Sequence, residues 1–438
     1  MTEKTKDKQH FTVARVFFLL IVIPLSLMAI LIANGIFKLG VTVKERAVTV
    51  LDQKSQEEIK IRAINLADEV ANFLAERKKD VLIATIIPTT EAAFKRFVDE
   101  NRKGLWVREG DKIRQVIVPL YAEMSYIDRN GNEVIKISHG EIATRDKLTN
   151  VANPANTTYK SENYFAKTKE LNKGEVYVSP LTGWYVSRPE FEQGKRFNGV
   201  IRFATPIYGK DGLQGIIQLA LDARHLMSFT DHVVPTSSTP VFEADAATGN
   251  YAYMVDYRGY VISHPNDYHI VGFSKDGTLV PHLTQENSNE LSKAGKEVLN
   301  FNYLAFLDPN LPEIHKDASS GKAGMKIYKF GGHTKFVAYA PIKFFGPEFP
   351  PPGGYGWIGM GVDVEKFSEL AIKTSQNIDK EAKAWTTTII LILIISIVLL
   401  FLIAAILARG IARSIAAEVP PGAEGEGPFY DDEEEEDK

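Results

Sequence analysis

Cysteine is absent from all 438 residues. That excludes a disulfide framework, thiolate metal ligation and a cysteine nucleophile, and it fits either face of a prokaryotic membrane. Catalytic signatures are missing too. The chain has no glycine loop to cradle phosphate, no nucleophile elbow and no HExxH string. There is no large basic patch and no nucleic-acid fingerprint, and 51 basic residues against 55 acidic ones give a formal charge of −4. No cofactor, metal or nucleic-acid partner is expected, and an enzyme is the least supported class.

Charge itself is missing from two stretches, and these organise the rest. Residues Trp385–Ala408 hold no charge, proline or glycine. A helix of that length crosses a hydrocarbon core of ~30 Å, with Trp385 placed as an interfacial anchor. A buried soluble helix is the bland alternative. The other stretch is Val16–Ala33, continuing to Ile36 and Phe37 behind Lys4, Lys6, Lys8 and Arg15. It is too long for a cleaved signal core, and Asn34-Gly35 is a poor cleavage site. We read it as a retained helix that tolerates Pro24. Positive charge ahead of the first span, with Arg409 and Arg413 behind the second, places both termini in the cytoplasm. The expected layout is then a cytoplasmic N-terminus at 1–15, a span at 16–37, an extracytoplasmic domain at 38–384 and a span at 385–408. The localisation that follows is the cell membrane. The last 30 residues carry Arg409, Arg413 and Lys438 against ten acids, a net of −7. Residues 420–438 are too polar to form a core and read as a disordered acidic tail.

Between the spans the pattern changes twice. Ile59, Ala63, Leu66, Val70 and Phe73 recur at helical spacing, within a long helix expected over 42–87 and closed by Pro88. A helix that long needs a second copy or a domain against it. From Leu120 the period becomes two. Leu120–Ile127 and Glu133–Ser138 flank Asp128-Arg-Asn-Gly131, a hairpin signal. A short helix is expected at Ser161–Leu171, a strand at Gly174–Ser179, a loop at Pro180–Asn198, and paired strands at Gly199–Ile207 and Leu213–Leu221. The order recurs with Tyr251–Asp256, Tyr260–Ser263, Met325–Phe330, Lys335–Pro341 and Gly356–Val362. Val364–Ile378 then leads as a helix into the second span. The fold class is α+β, in two modules at 88–228 and 229–378.

Several strings resemble one family. Tyr126-Ile-Asp-Arg-Asn-Gly-Asn-Glu133, Gly174-Glu-Val-Tyr-Val-Ser-Pro180 and Ile201-Arg-Phe-Ala-Thr-Pro-Ile-Tyr208 resemble the membrane-distal module of extracellular double Cache sensor domains. Tyr257-Arg-Gly-Tyr-Val-Ile-Ser-His-Pro265 and Phe336-Val-Ala-Tyr-Ala-Pro341 resemble the proximal one. The likeness covers roughly residues 40–375. It implies two PAS-like modules stacked along the N-terminal helix, a small ligand in the distal module, and a receptor of the chemotaxis-transducer or sensor-kinase class. Arg409–Ile415, within 409–419, looks like the start of a HAMP linker. No kinase, methyl-accepting or cyclase sequence follows, which leaves open a truncated receptor, a sensor that works with a separate cytoplasmic output protein, or a subunit with a different role.

A ligand pocket needs apolar walls and a few directed polar groups. Tyr126, Tyr164, Tyr177, Trp184, Tyr185, Arg188, Arg202 and Asp222 are the candidates in the distal module. An arginine would grip a carboxylate, and an aromatic face would hold an amine. For Arg202 the alternative is a structural ion pair; for the aromatics it is core or loop packing. The amino-acid-binding subset of the family carries Arg two residues before a Trp-Tyr pair. Here the string is Glu162-Asn-Tyr164-Phe165, and Ala220 stands where an Asp is expected, with Asp222 close by. An organic acid, an amine or a purine-like solute therefore stays open. Asp256, His264, Asp267, His269 and His282 match no standard metal spacing. The expected function is a transmembrane receptor, working as a homodimer in contact with a small extracellular solute. The competing function is an anchored assembly subunit that uses the same fold to oligomerise.

Overall fold

The computed structural model describes residues 3–109 and 112–418. The acidic tail expected at 420–438 lies outside them. The chain divides into two compact units, one formed by Leu51–Leu370 and the other by the terminal stretches Met1–Val50 and Ala371–Lys438.

In chain order the elements are α1 (Glu3–Ala84), α2 (Glu91–Glu100), β1 (Arg102–Glu109), β2 (Lys112–Pro119), β3 (Tyr121–Asp128), β4 (Glu133–Ser138), β5 (Glu141–Ile142) and α3 (Tyr164–Lys169). Next come β6 (Tyr177–Val178), β7 (Thr182–Trp184), α4 (Arg188–Glu192), β8 (Asn198–Gly209), β9 (Gly212–Asp222) and α5 (Ala223–Asp231). The second half holds β10 (Tyr251–Asp256), β11 (Val261–Ser263), α6 (Ser288–Lys293), α7 (Asn310–Ser319), β12 (Gly324–Phe330), β13 (His333–Ile342), β14 (Gly356–Asp363) and α8 (Val364–Glu418).

The larger unit is α+β with two main antiparallel sheets. One runs β5-β4-β3-β9-β8-β6, with β7 also on β8; the other runs β11-β10-β14-β13-β12. The cores of the two orders are equivalent: 4-3-9-8 in the first matches 11-10-14-13 in the second. Their opening hairpins use the same turn. Asp128 accepts hydrogen bonds from the amides of Asn130 and Asn132, at 2.8 and 2.9 Å. Asp256 does the same for Arg258 and Tyr260, both at 3.0 Å. In each turn the glycine three residues after the aspartate has positive φ, 90° at Gly131 and 88° at Gly259, a conformation that a Cβ disfavours. A repeat faint in the letters is therefore plain in the backbone.

Helix α1 extends further than the expected 42–87 in the N-terminal direction and stops at Ala84, with Pro88 just beyond. All five residues of its predicted stripe are buried, and they share one core cluster with Met124, Ile135, Ile201, Ile217 and Leu219 of the first sheet. Asp80 fastens the helix to β3, taking hydrogen bonds from the Tyr121 hydroxyl and, at 2.8 Å, from Arg77 Nε. The β1–β2 hairpin and α7 were not anticipated. Strand β1 alternates weakly, and Arg102-Lys103 and Arg108-Glu109 mask its period. The loop expected at 180–198 carries β7 and α4.

In the terminal unit, Gln376–Leu407 within α8 spans 32 residues and is long and apolar enough to cross a membrane; among the described residues no other stretch is, and Leu19–Gly35 in α1 is shorter. Consecutive Ile390, Leu391 and Ile392 are each at least half exposed, so apolar side chains point outward on every side of the helix. Thr386, Thr387 and Thr388 each donate to the carbonyl four residues back, at 2.8–3.0 Å, which satisfies their hydroxyls without water.

The burial of α1 predicts an asymmetric response to truncation. Leu74, fully buried, becomes a cavity when changed to Ala, and Leu74→Ala should cost about 2–5 kcal/mol. Ile61 is 50% exposed, and Ile61→Ala should stay within about 0.5 kcal/mol of the parent. Chemical denaturation of the full chain in detergent measures both, and equal losses would contradict the assigned face.

Candidate functional site

Strands β3, β8 and β9 send alternate residues to opposite faces. Glu123 lies across from Ala220, Ser125 from Gln218 and Arg202 from Ala220. These residues point away from the α1 cluster, beneath a cover made by residues 158–164 and 177–182. On a face otherwise rich in apolar residues, four polar side chains must satisfy one another.

They do so around Arg202, which is 1% exposed. Its Nη1 donates to Glu123 Oε2 at 2.7 Å and to Gln218 Oε1 at 3.2 Å. Its Nη2 donates to Glu162 Oε2 at 3.0 Å, and its Nε donates to Glu162 Oε1. The Tyr164 ring lies under the guanidinium, 4.7 Å to the centroid. Gln218 Nε2 donates to Ser125 Oγ at 3.0 Å, and Thr158 Oγ1 to Glu123 Oε1 at 2.7 Å. Burial pushes the Glu123 carboxyl up, but the Arg202 guanidinium, helped by Lys136, more than offsets this and holds it down at about 2. The same carboxylates raise Arg202 well above its usual range against the effect of burial.

A cavity of about 190 Å³ opens beside this cluster, lined by Glu162, Tyr164, Tyr177, Ser179, Arg258 and Phe273 among others. Of the expected residues, Tyr164 and Tyr177 line it, and Arg202 stands just behind them. Tyr177 Oη donates to Asn163 Oδ1 at 3.3 Å. The guanidinium of Arg202 is not the open carboxylate grip expected, because Glu162, from the position where the amino-acid-binding pattern has Arg, already fills that grip.

The other candidates are elsewhere. Tyr126 faces the α1 cluster, since it is one residue out of phase with Glu123 and Ser125. Trp184 packs against Tyr159, centroids 5.2 Å apart with the rings tilted by 57°. Tyr185 and Arg188 join the two modules. The Tyr185 hydroxyl donates to Tyr268 O and accepts from Glu297 N, both at 2.9 Å, while Arg188 pairs with Glu297 at 2.7 Å and lies over the Tyr268 ring. Asp222 caps α5, accepting from Arg224 N at 3.0 Å and pairing with the Arg224 side chain. Glu123, Gln218 and Arg258 were missed. Glu and Ser at alternate positions of β3 are the signal that could have pointed to the first.

Among the described residues, no group of three or more His, Asp or Glu side chains is arranged to hold a metal ion. His264 pairs with Tyr251 Oη at 3.1 Å, His269 with Glu297 O at 2.9 Å, and His282 with Tyr260 Oη at 3.2 Å. Asp256 pairs with Arg258 at 2.7 Å.

No protein-family model matches the chain, and no curated protein does. Solved structures of similar fold exist at low identity. The ligand-binding domain of the Pseudomonas fluorescens chemoreceptor CtaA, in complex with L-isoleucine, is 14% identical, with a TM-score of 0.40 over 74% of this chain and 98% of that one. That of the Pseudomonas aeruginosa amino-acid chemoreceptor PctC, in complex with GABA, is 11% identical, with a TM-score of 0.38 over 70% and 99%. The sensory domain of the Campylobacter jejuni chemoreceptor Tlp3 is 9% identical, with a TM-score of 0.39 over 75% and 99%. None transfers a ligand or a residue role to this chain.

Removing the buried cation gives a signed prediction. Glu123 has a depressed pKa, so its contribution to stability is present above the ordinary carboxyl pKa near 4.5 and is lost as pH falls toward about 2. Arg202→Met strands two carboxylates and should cost about 3–5 kcal/mol at neutral pH. Burial then raises both acids, so as pH falls from neutral to about 4 the variant should gain more stability than the parent, whose gain comes from Asp231 and Asp267. Denaturation at several pH values tests the change of slope, and Glu123→Gln with Glu162→Gln on the Arg202→Met background should recover most of the loss.

Proposed function

We propose that this chain is a membrane-anchored receptor whose two-module domain binds a small solute outside the cytoplasm and signals through its second span. One observation carries the reading. Strand β14 ends at Asp363, in the middle of its sheet between β10 and β13, and Val364 begins the helix that contains Gln376–Leu407. No loop intervenes to absorb a displacement. A sheet that rearranges on binding would act directly on the helix, provided that the solute favours one of two states.

In this reading the apolar run at 16–37 is the first of two spans, both termini are cytoplasmic, and residues 38–384 face outward. The solute occupies the distal cavity beside Tyr164, Tyr177 and Glu162, with Arg202 setting the charge of its wall. Glu162 and the guanidinium of Arg258 both line the cavity, so its wall offers a charge of each sign, and an amine, an organic acid or a neutral polar solute could be held there. Trp184, Tyr185, Arg188, Asp222 and Tyr126 support the site from outside. The working unit is a homodimer, and a cytoplasmic partner reads the signal. Exposed apolar side chains favour the second reading, an assembly subunit: Ile86 is 82% exposed and Ile117 70%. Light scattering in mild detergent separates a defined dimer from a larger array.

Two measurements test the receptor. Full-length chain in nanodiscs, heated with a panel of amines, organic acids, amino acids and nucleobases, should show a saturable rise in Tm for one class. A solute at about 100 times its Kd contributes about 2.7 kcal/mol, and Tyr177→Ala should abolish the rise. No rise with any class would refute sensing by this domain. Protease added to intact cells should digest 38–384 and spare an epitope placed after Arg409; a protected middle would overturn the topology.

A further inference from the structure

A larger cavity, about 550 Å³, lies between the two modules and takes no part in the distal site. Trp106 and Arg108 of β1, Arg196, Arg224, Met227, Asp231, His232, Phe242, Glu243 and Asp267 are on its walls. Its charges sort unequally. Arg224 is paired with Asp222, and Arg196 Nε with Glu243 at 3.1 Å. Arg108 lies over the Phe242 ring, 4.9 Å to the centroid, and one nitrogen of His232 pairs with Phe242 O. Two acids, and the guanidinium of Arg108 over its ring, are left without an ion pair among the described residues.

Asp231 Oδ1 accepts from Ser263 Oγ at 3.1 Å, and its Oδ2 has no hydrogen bond among the described residues. Asp267 is 6% exposed. Its Oδ2 accepts from Phe197 N, and its Oδ1 likewise has no partner. Neither carboxylate makes an ion pair. Arg196 draws on Asp267 at longer range, but its contact is with Glu243. Burial and the charge of Asp267 push Asp231 far above the usual carboxylate range, and burial raises Asp267 to about 6.

Asp267 is buried and Asp231 half-buried, each keeps an oxygen without a protein donor beside a roomy cavity, and two such neighbouring acids are relieved either by a proton or by a cation that joins them. A metal ion needs more ligands than this pair offers, and no third acid or histidine completes a metal group among the described residues. An ammonium fits better. It brings its own donors, two for the free oxygens, and its apolar stem suits Trp106, Phe242 and Met227. We infer that the seam between the modules is a binding site for a small organic amine, its ammonium held by Asp231 and Asp267 and its carbon skeleton against Trp106 and Phe242. This does not require the distal cavity to bind anything. An amine seated there would tie α5 and β1 to the second module.

Calorimetric titration of the full chain in nanodiscs at neutral pH tests the site. The probes are 2-phenylethylamine, putrescine and agmatine, with 2-phenylethanol and 3-phenylpropionate as uncharged and anionic counterparts. At least one amine should bind saturably, and neither counterpart should. Asp231→Asn and Asp267→Asn should each weaken the amine about tenfold or more, about 1.4 kcal/mol. Each variant keeps an acceptor for Ser263 or Phe197 and cannot carry a charge there, so its Tm without amine should equal or exceed the parent's. Tyr164→Ala, in the distal cavity, should leave amine binding unchanged. The inference is overturned if none of the amines binds, if both Asn variants bind as the parent does, if 2-phenylethanol binds as tightly as its amine, or if Tyr164→Ala removes the binding.

Discussion

The buried stripe of α1 constrains everything else in the distal module. Ile59, Ala63, Leu66, Val70 and Phe73 occupy one face of the first sheet through Met124, Ile201, Ile217 and Leu219. Because strand residues alternate, Glu123, Ser125, Arg202 and Gln218 then fall together on the other face. Polar groups gathered under a cover have to neutralise one another. The guanidinium at the centre of that cluster answers this need before any ligand arrives. It also explains why Glu162 hangs from the cover: without it, Arg202 would be held by one carboxylate.

Charge is handled differently in the two interior spaces. In the distal cavity every ionised group has a counter-charge within hydrogen-bond reach, and the space beside it is small. In the seam the arginines are engaged elsewhere, and two carboxylates are left facing open volume. Buried ion pairs add little net stability when complete and are costly when broken. The first arrangement therefore reads as structure with a pocket attached, and the second as a site that waits for a charge. Tyr185 and Arg188 belong to the same seam. Backbone bonds from Phe273 N to Gly183 O at 2.8 Å and from Arg188 N to Gly295 O at 2.9 Å hold the modules together around them, so whatever changes one module is felt by the other.

Much of the fold was legible in the chain because its signals are local. The 4,3,4,3 spacing after Ile59 marks the helix. Asp128-Arg-Asn-Gly131 and Arg258-Gly259 mark the turns, and period-two runs mark β8, β9, β13 and β14. The β1–β2 hairpin escaped because charged residues interrupt its apolar ones: Lys103 and Arg108 lie over the Phe73 and Phe242 rings on either side of buried Leu105. Helix α7 escaped because Pro312 sits near its start, where proline is tolerated but reads as a break.

Sequence alone determined most of the long elements, the order of the two sheets, the uncharged stretch before Arg409 and the residue types from which a site is built. It put Arg202 and Tyr164 near a pocket because both follow recognisable strings. Tertiary structure decided which partners they have. Arg202 meets Glu162 across 40 residues and Glu123 across 79, and Asp267 comes near Asp231 because β11, which leads to it, packs against α5. Spacing along a chain sets which face a side chain takes. What waits on that face depends on how distant segments fold over it, and for a charge in a dry interior that is the larger energy.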